Sequence, residues 1–225
     1  MRRIFFASVM LLAMPLLALG ESHCNMHADK AQEYWAAPGD GVSAHSLSFT
    51  RAYTGHGNFE LNVCRGTVRV EVVPNMLQMR VKVELRNGGA HANAIASVRT
   101  FQVTPDHAVL AFDFRKQDDA VVTIELPMLQ GSHNQINVGA GQFEMKAARS
   151  AGDREINIGA GSLLLMLNED RDYHVLETNV GLGSFKDERA GGSSHYFVVS
   201  KEMQGHGDGR IQINVGAGSA VIRNQ

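Results

Sequence analysis

Four copies of one short motif constrain this chain more than any other feature. Ile136-Asn137-Val138-Gly139-Ala140-Gly141 returns as Ile156-Asn157-Ile158-Gly159-Ala160-Gly161, then as Thr178-Asn179-Val180-Gly181-Leu182-Gly183. The last copy is Ile213-Asn214-Val215-Gly216-Ala217-Gly218, so the asparagines lie 20, 22 and 35 residues apart. A period near 20 residues marks small units that bury their apolar faces by stacking. Each copy runs on into strand-like sequence, at 143–145, 163–167, Phe185 and 220–222. Glycine accepts positive φ and close backbone approach at a bend. Asparagine tolerates the left-handed region, and its amide can bond to an identical neighbour one strand away. The motif therefore predicts the bend of a coil, with Asn137, Asn157, Asn179 and Asn214 as a ladder. Architecture accounts for the motif without any catalytic role. The longer gap predicts one coil plus an insertion of about 15 residues within 184–210. That insertion runs from Gly191-Gly192-Ser193-Ser194 to Gly205-His206-Gly207-Asp208-Gly209 and is the better place to seek a site.

The first half is patterned differently. Val68, Val70 and Val72 alternate with Arg69 and Glu71; Met79, Val81, Val83 and Leu85 alternate with Arg80, Lys82 and Glu84. Period-two alternation of this kind predicts strands with one buried and one wet face. Strands are also predicted over 59–63, 108–114 and 121–126, with turns at Pro74-Asn75 and Asn87-Gly88-Gly89. A short helix is predicted over 29–36, before Pro38. The expected fold is all-β, a single-stranded β-solenoid of stacked N-x-G-x-G rungs. Residues 1–20 are expected to be a signal peptide, 21–58 an extension and 59–225 the solenoid domain.

Arg2 and Arg3 precede an apolar run, Ile4 to Leu19, and small residues Ala18 and Gly20 place a cleavage point before Glu21. The chain is thus expected in the periplasm or outside the cell. Losing Arg2 and Arg3 from 21 basic and 23 acidic residues leaves 19 against 23. That acidic balance argues against a nucleic-acid partner. Cys24 and Cys64 are the two cysteines. In an oxidising compartment one disulfide between them is the simplest reading, with two separate thiols as the alternative. The bond would close a loop of about 40 residues and contribute roughly 3–4 kcal/mol.

Enzyme and cofactor signatures are missing. The Gly-x-Gly copies lack the third glycine and following helix of a dinucleotide site, and the Gly-Lys-Ser/Thr of a P-loop. Gln142, Ser162, Ser184 and Ser219 follow the copies, where calcium repeats place aspartate. His23 and His27 flank Cys24 without the glutamate of a zinc helix. Asn168, Glu169, Asp170 and Asp172 form the densest acidic stretch, read first as a solvated turn. Asp113, Asp118, Asp119 and Glu125 could supply carboxylates to a polysaccharide-acting enzyme, the rival class, but they lie on separate strands or turns. No catalytic, cofactor or metal residue is assigned.

The motif residues resemble those of a bacterial exported β-solenoid group of unknown function, described as adhesin-like and including head GIN adhesin-like domains. The likeness rests on Val122-Thr123-Ile124-Glu125-Leu126-Pro127, on the repeated Asn-Val-Gly-Ala-Gly, and on the stretch 209–218 as a closing rung. Leu61-Asn62-Val63-Cys64-Arg65-Gly66-Thr67-Val68 resembles a degenerate early rung with one glycine. The likeness spans roughly 59–225 and implies stacked rungs and a non-catalytic role in surface or envelope binding. It supplies no functional residues. The partner is left open between a glycan and an envelope protein, and a structural scaffold or self-associating spacer is the alternative. The terminal rung, Ala220-Val221-Ile222, is expected as an edge that the insertion covers or that joins two copies.

Overall fold

The computed structural model describes residues 36–87, 92–147, 152–168, 170–189 and 191–225. The leader, Cys24, His23, His27 and residues 29–35 of the expected helix lie outside them. Among the described residues twelve strands form one sheet. They are β1 (Gly41–Val42), β2 (Ser46–Ala52), β3 (Asn58–Val72), β4 (Gln78–Leu85), β5 (Val98–Thr104) and β6 (His107–Phe112). The second half supplies β7 (Ala120–Leu126), β8 (Asn134–Ala147), β9 (Arg154–Leu167), β10 (Val175–Asp187), β11 (Ser194–Gln204) and β12 (Arg210–Asn224). Among the described residues no helix is long and apolar enough to cross a membrane.

Five long strands lie parallel and in register, in the order β3, β8, β9, β12, β10. Each bends once, and the burial pattern shows where. In β9, Ile156 and Ile158 are buried before the motif glycines, and Leu163 and Leu165 after them. The buried parity switches from even to odd across Gly161. A bend there keeps both arms of the strand facing one core instead of turning the second arm to water. The same switch occurs from Val215 to Ala220 in β12 and from Val180 to Phe185 in β10. Inward residues stack by column: Leu61, Ile136, Ile156, Ile213 and Thr178 form one, and Val68, Phe143, Leu163, Ala220 and Phe185 another. In the second column small Ala220 sits between Leu163 and Phe185, so volume alternates along the stack.

At β3 the sheet divides. Its first arm pairs with β6, and its second arm with β7. β6 continues to β5, while β7 continues through β4 and β2 to β1, all antiparallel. The two branches meet again where Phe49 of β2 packs edge-to-face on Phe101 of β5 at 4.8 Å. The Arg51 guanidinium covers both rings at 5.3 Å. β1 and β2 fall within 21–58, so residue 59 is not a structural boundary.

The repeats do not stack in chain order. β10 turns back through antiparallel β11, and the chain then places β12 between β9 and β10. The terminal rung is therefore not an edge, because β12 is bonded along both sides. The segment expected as an irregular insertion is itself a strand, β11, and it forms the edge.

Candidate functional site

The motif residues occupy the outer surface of the bend in three columns. The last glycine of each copy has positive φ: Gly141 at 142°, Gly161 at 145°, Gly218 at 139° and Gly183 at 151°. Gly66 of β3 joins them at 131°. A Cβ on Gly141, Gly161, Gly218 or Gly183 would collide with the carbonyl oxygen of the glycine on the next rung. The first glycines, Gly139, Gly159, Gly216 and Gly181, stack alongside. A Cβ on Gly159, Gly216 or Gly181 would meet the neighbouring glycine carbonyl at 2.5–2.7 Å. Backbone contact along the bend thus demands glycine twice in β9, β12 and β10. In β3 the first of these positions is Cys64, which is buried; its predicted partner Cys24 lies outside the described residues.

The asparagines form a chain of hydrogen bonds running one way. Ser200 Oγ donates to Asn179 Oδ1 at 2.9 Å, and Asn179 Nδ2 to Asn214 Oδ1 at 3.1 Å. Asn214 donates to Asn157 at 2.9 Å, and Asn157 to Asn137 at 2.9 Å. Asn137 donates to Asn62 at 2.7 Å, and Asn62 to the Glu60 carboxylate at 2.7 Å. Aligned amide dipoles polarise one another, and the negative charge of Glu60 sits at the acceptor end, where it favours that direction. Spatial order, not chain order, sets the sequence of bonds. Asn62, Ser200 and Glu60 extend the four-residue ladder expected from the motif.

Beside this row lies an open groove of about 230 Å³. Its wall is Asn137, Asn157, Asn214 and Asn179, and its floor includes Gly159, Gly216 and Gly181. Strands stack about 4.8 Å apart, so the five asparagines span roughly 19 Å. A ladder bond uses one of two amide hydrogens and one of two oxygen lone-pair directions. Asn157 also donates to Glu155 at 2.9 Å, so both of its amide hydrogens are engaged; elsewhere the row offers further donors and acceptors over a floor that includes three glycines. The next register position, one residue beyond the first glycines, carries Arg65, Ala140, Ala160, Ala217 and Leu182.

The other sequence candidates go elsewhere. Asp113 pairs with Arg99 at 3.1 Å, Asp118 with Arg115 at 2.7 Å and Glu125 with Arg80 at 3.1 Å. Asp119 and Glu125 line different depressions, so these carboxylates do not converge. In the acidic stretch, buried Asp172 accepts from the Asn168 amide at 2.7 Å, while Asp170 holds His206 at 2.9 Å. The Gly205-His206-Gly207 turn is thereby tied to that stretch, also through Gly207 N to Tyr173 O at 2.8 Å. Among the described residues no group of three or more His, Cys, Asp or Glu side chains is placed to hold a metal ion.

One buried polar pair has no sequence signal. Asn134 and Arg154 are neighbours in the inward column that also holds Phe59 and Ile211. Arg154 Nη2 donates to Asp172 O at 2.9 Å, while Nε, Nη1 and Asn134 Oδ1 are unsatisfied. Burial pushes the guanidinium down to about 10. A water bridging the two side chains would satisfy both.

No family model matches the chain, and no curated protein matches it. Among solved structures it is similar to the crystal structure of a "putative cell adhesion protein" from Clostridium sporogenes ATCC 15579. The identity is 12%, the TM-score 0.44, and the match covers 80% of this chain and 100% of that one. A likeness this distant carries no property across.

Proposed function

We propose that this protein is an exported, non-catalytic binding protein of the envelope or cell surface. Its binding face is the groove beside the asparagine row, and its ligand is an extended glycan strand. The parallel stack is read as a β-solenoid segment, since β8 to β9 advances one strand for 20 residues from Asn137 to Asn157. The observation that supports the reading is the row itself. Amides repeated at about 4.8 Å along a straight, open floor suit a straight polymer rich in hydroxyl and acetamido groups. Such a groove has neither a paired acid and base nor an enclosed pocket for a transition state.

Binding to a glycan array, followed by titration of the retained glycans, tests the proposal. Ala160→Tyr sets a ring on the exposed outer surface of the bend, one residue beyond the groove-lining Gly159, without touching the core. The variant is expected to weaken retention at least about tenfold while melting with the wild type. Retention unaffected by Ala160→Tyr would move the site elsewhere. Release of shortened or unsaturated sugar from any retained glycan would overturn the non-catalytic reading.

A further inference from the structure

β11 is the longest edge strand among the described residues: eleven residues, against seven in β5 and two in β1. Edge strands are normally blunted by charge, proline or shortness, because their unpaired N–H and C=O groups are a template for another strand. From Ser194 to Val199 β11 has no proline and no Asp, Glu, Lys or Arg. It exposes Tyr196, Phe197 and Val198 by 70, 76 and 79%. Leu182, in the β10 bulge opposite Val198, is 64% exposed and extends the patch.

A second, independent feature lies at the centre of this patch. Phe197 has φ of 72° and pairs with Gly183, a corner glycine. Every parallel rung places glycine at the bend; β11 places a phenylalanine in the left-handed region with its ring in water. Such a residue is strained, and strain of this kind persists where something else compensates for it.

We propose that β11 joins two copies of this chain, edge to edge and antiparallel, about a twofold axis at Phe197. The side-chain pattern is close to a palindrome about that residue, as a twofold contact requires. In this register Phe197 faces its own copy, Tyr196 faces Val198, His195 faces Val199 and Ser194 faces Ser200. Lys201 and Glu202 fall opposite Ser193 and Gly192, so no like charges meet across the pair. β10 and β11 already pair antiparallel across the bend, so the same geometry is repeated once more. The exposed apolar patch amounts to on the order of 500 Å² per copy, or about 1,000 Å² for the pair. That area sits at the lower limit of specific interfaces and sets the expectation of a reversible, micromolar dimer.

Sedimentation velocity of the purified protein from roughly 1 µM to 1 mM reads the equilibrium directly. The wild type is expected to pass from monomer to dimer within that range. Phe197→Gly removes the ring and relieves the positive φ, so it is expected to weaken the dimer at least about tenfold while raising the melting temperature of the monomer. Val198→Lys places two like charges beside the axis and is expected to abolish the dimer. Leu77→Lys, at an equally exposed residue (72%) outside the patch, is expected to change nothing. A monomer at every concentration, or a dimer indifferent to Phe197→Gly and Val198→Lys, would overturn the proposal.

Discussion

The parallel stack and the antiparallel branches share one core but encode their structure in different ways. In β4 and β7 information resides in side chains: Met79, Val81, Val83 and Leu85 point in, and charged neighbours point out. In β8, β9, β12 and β10 much of it resides in the backbone, because the bend brings glycine carbonyls against the next rung's glycine. The first kind of strand tolerates exchange among similar apolar residues. The second tolerates almost nothing at the bend, where there is no side chain to repack.

Mutations at the two kinds of position should separate these behaviours. Gly161→Val, in the middle of the stack, combines a forbidden φ of 145° with collision against the Gly141 carbonyl. A loss of about 5 kcal/mol, or no folded protein, is expected in urea unfolding. Leu85→Ala, buried in β4, should cost about 3 kcal/mol and leave a cooperative transition. Breaking the asparagine chain should matter according to place. Asn157→Ala removes two ladder bonds and strands both neighbours, at about 2 kcal/mol. Asn62→Ala removes the bond from Asn137 and the bond to Glu60, but the partly exposed Glu60 carboxylate can turn to water, so only Asn137 is stranded and the cost should be about half as much.

The smallest effect belongs to the β10–β11 connection. Burial acts to raise the Asp187 carboxyl, but hydrogen bonds and charge from Arg189 outweigh it and hold it below its ordinary 3.8. A depressed carboxyl contributes its stability fully above that ordinary value and loses it as pH falls through the lower folded value. Asp187→Asn is therefore expected to flatten the acid limb of stability against pH, and to cost about 1 kcal/mol or less at neutral pH.

Much of this contrast was legible in the residues. Alternation placed β4, β6 and β7, and the glycine spacing located the bends of β8, β9, β10 and β12. Residues 59–63 and 67–73 read as two strands, yet β3 runs unbroken from Asn58 to Val72, because Gly66 bends the chain without ending it. Spatial order was not legible for a physical reason. Four nearly identical motifs present the same edge, so the sequence alone does not distinguish β12 beside β9 from β10 beside β9. β11 was hidden because it carries no motif, and its consecutive apolar residues Tyr196, Phe197 and Val198 face solvent rather than the core. The groove was hidden as well: a repeat explains why rungs stack, but concavity beside the asparagines emerges only when four glycines align.

The account stands or falls on what that groove touches. Titrating the labelled protein with an array-selected glycan, and following asparagine side-chain amide resonances, tests it residue by residue. The amides of Asn137, Asn157, Asn214 and Asn179 are expected to shift together and saturate with one affinity, while those of Asn75 and Asn93 stay fixed. Saturating shifts confined to other residues, with the four ladder amides unmoved, would contradict it.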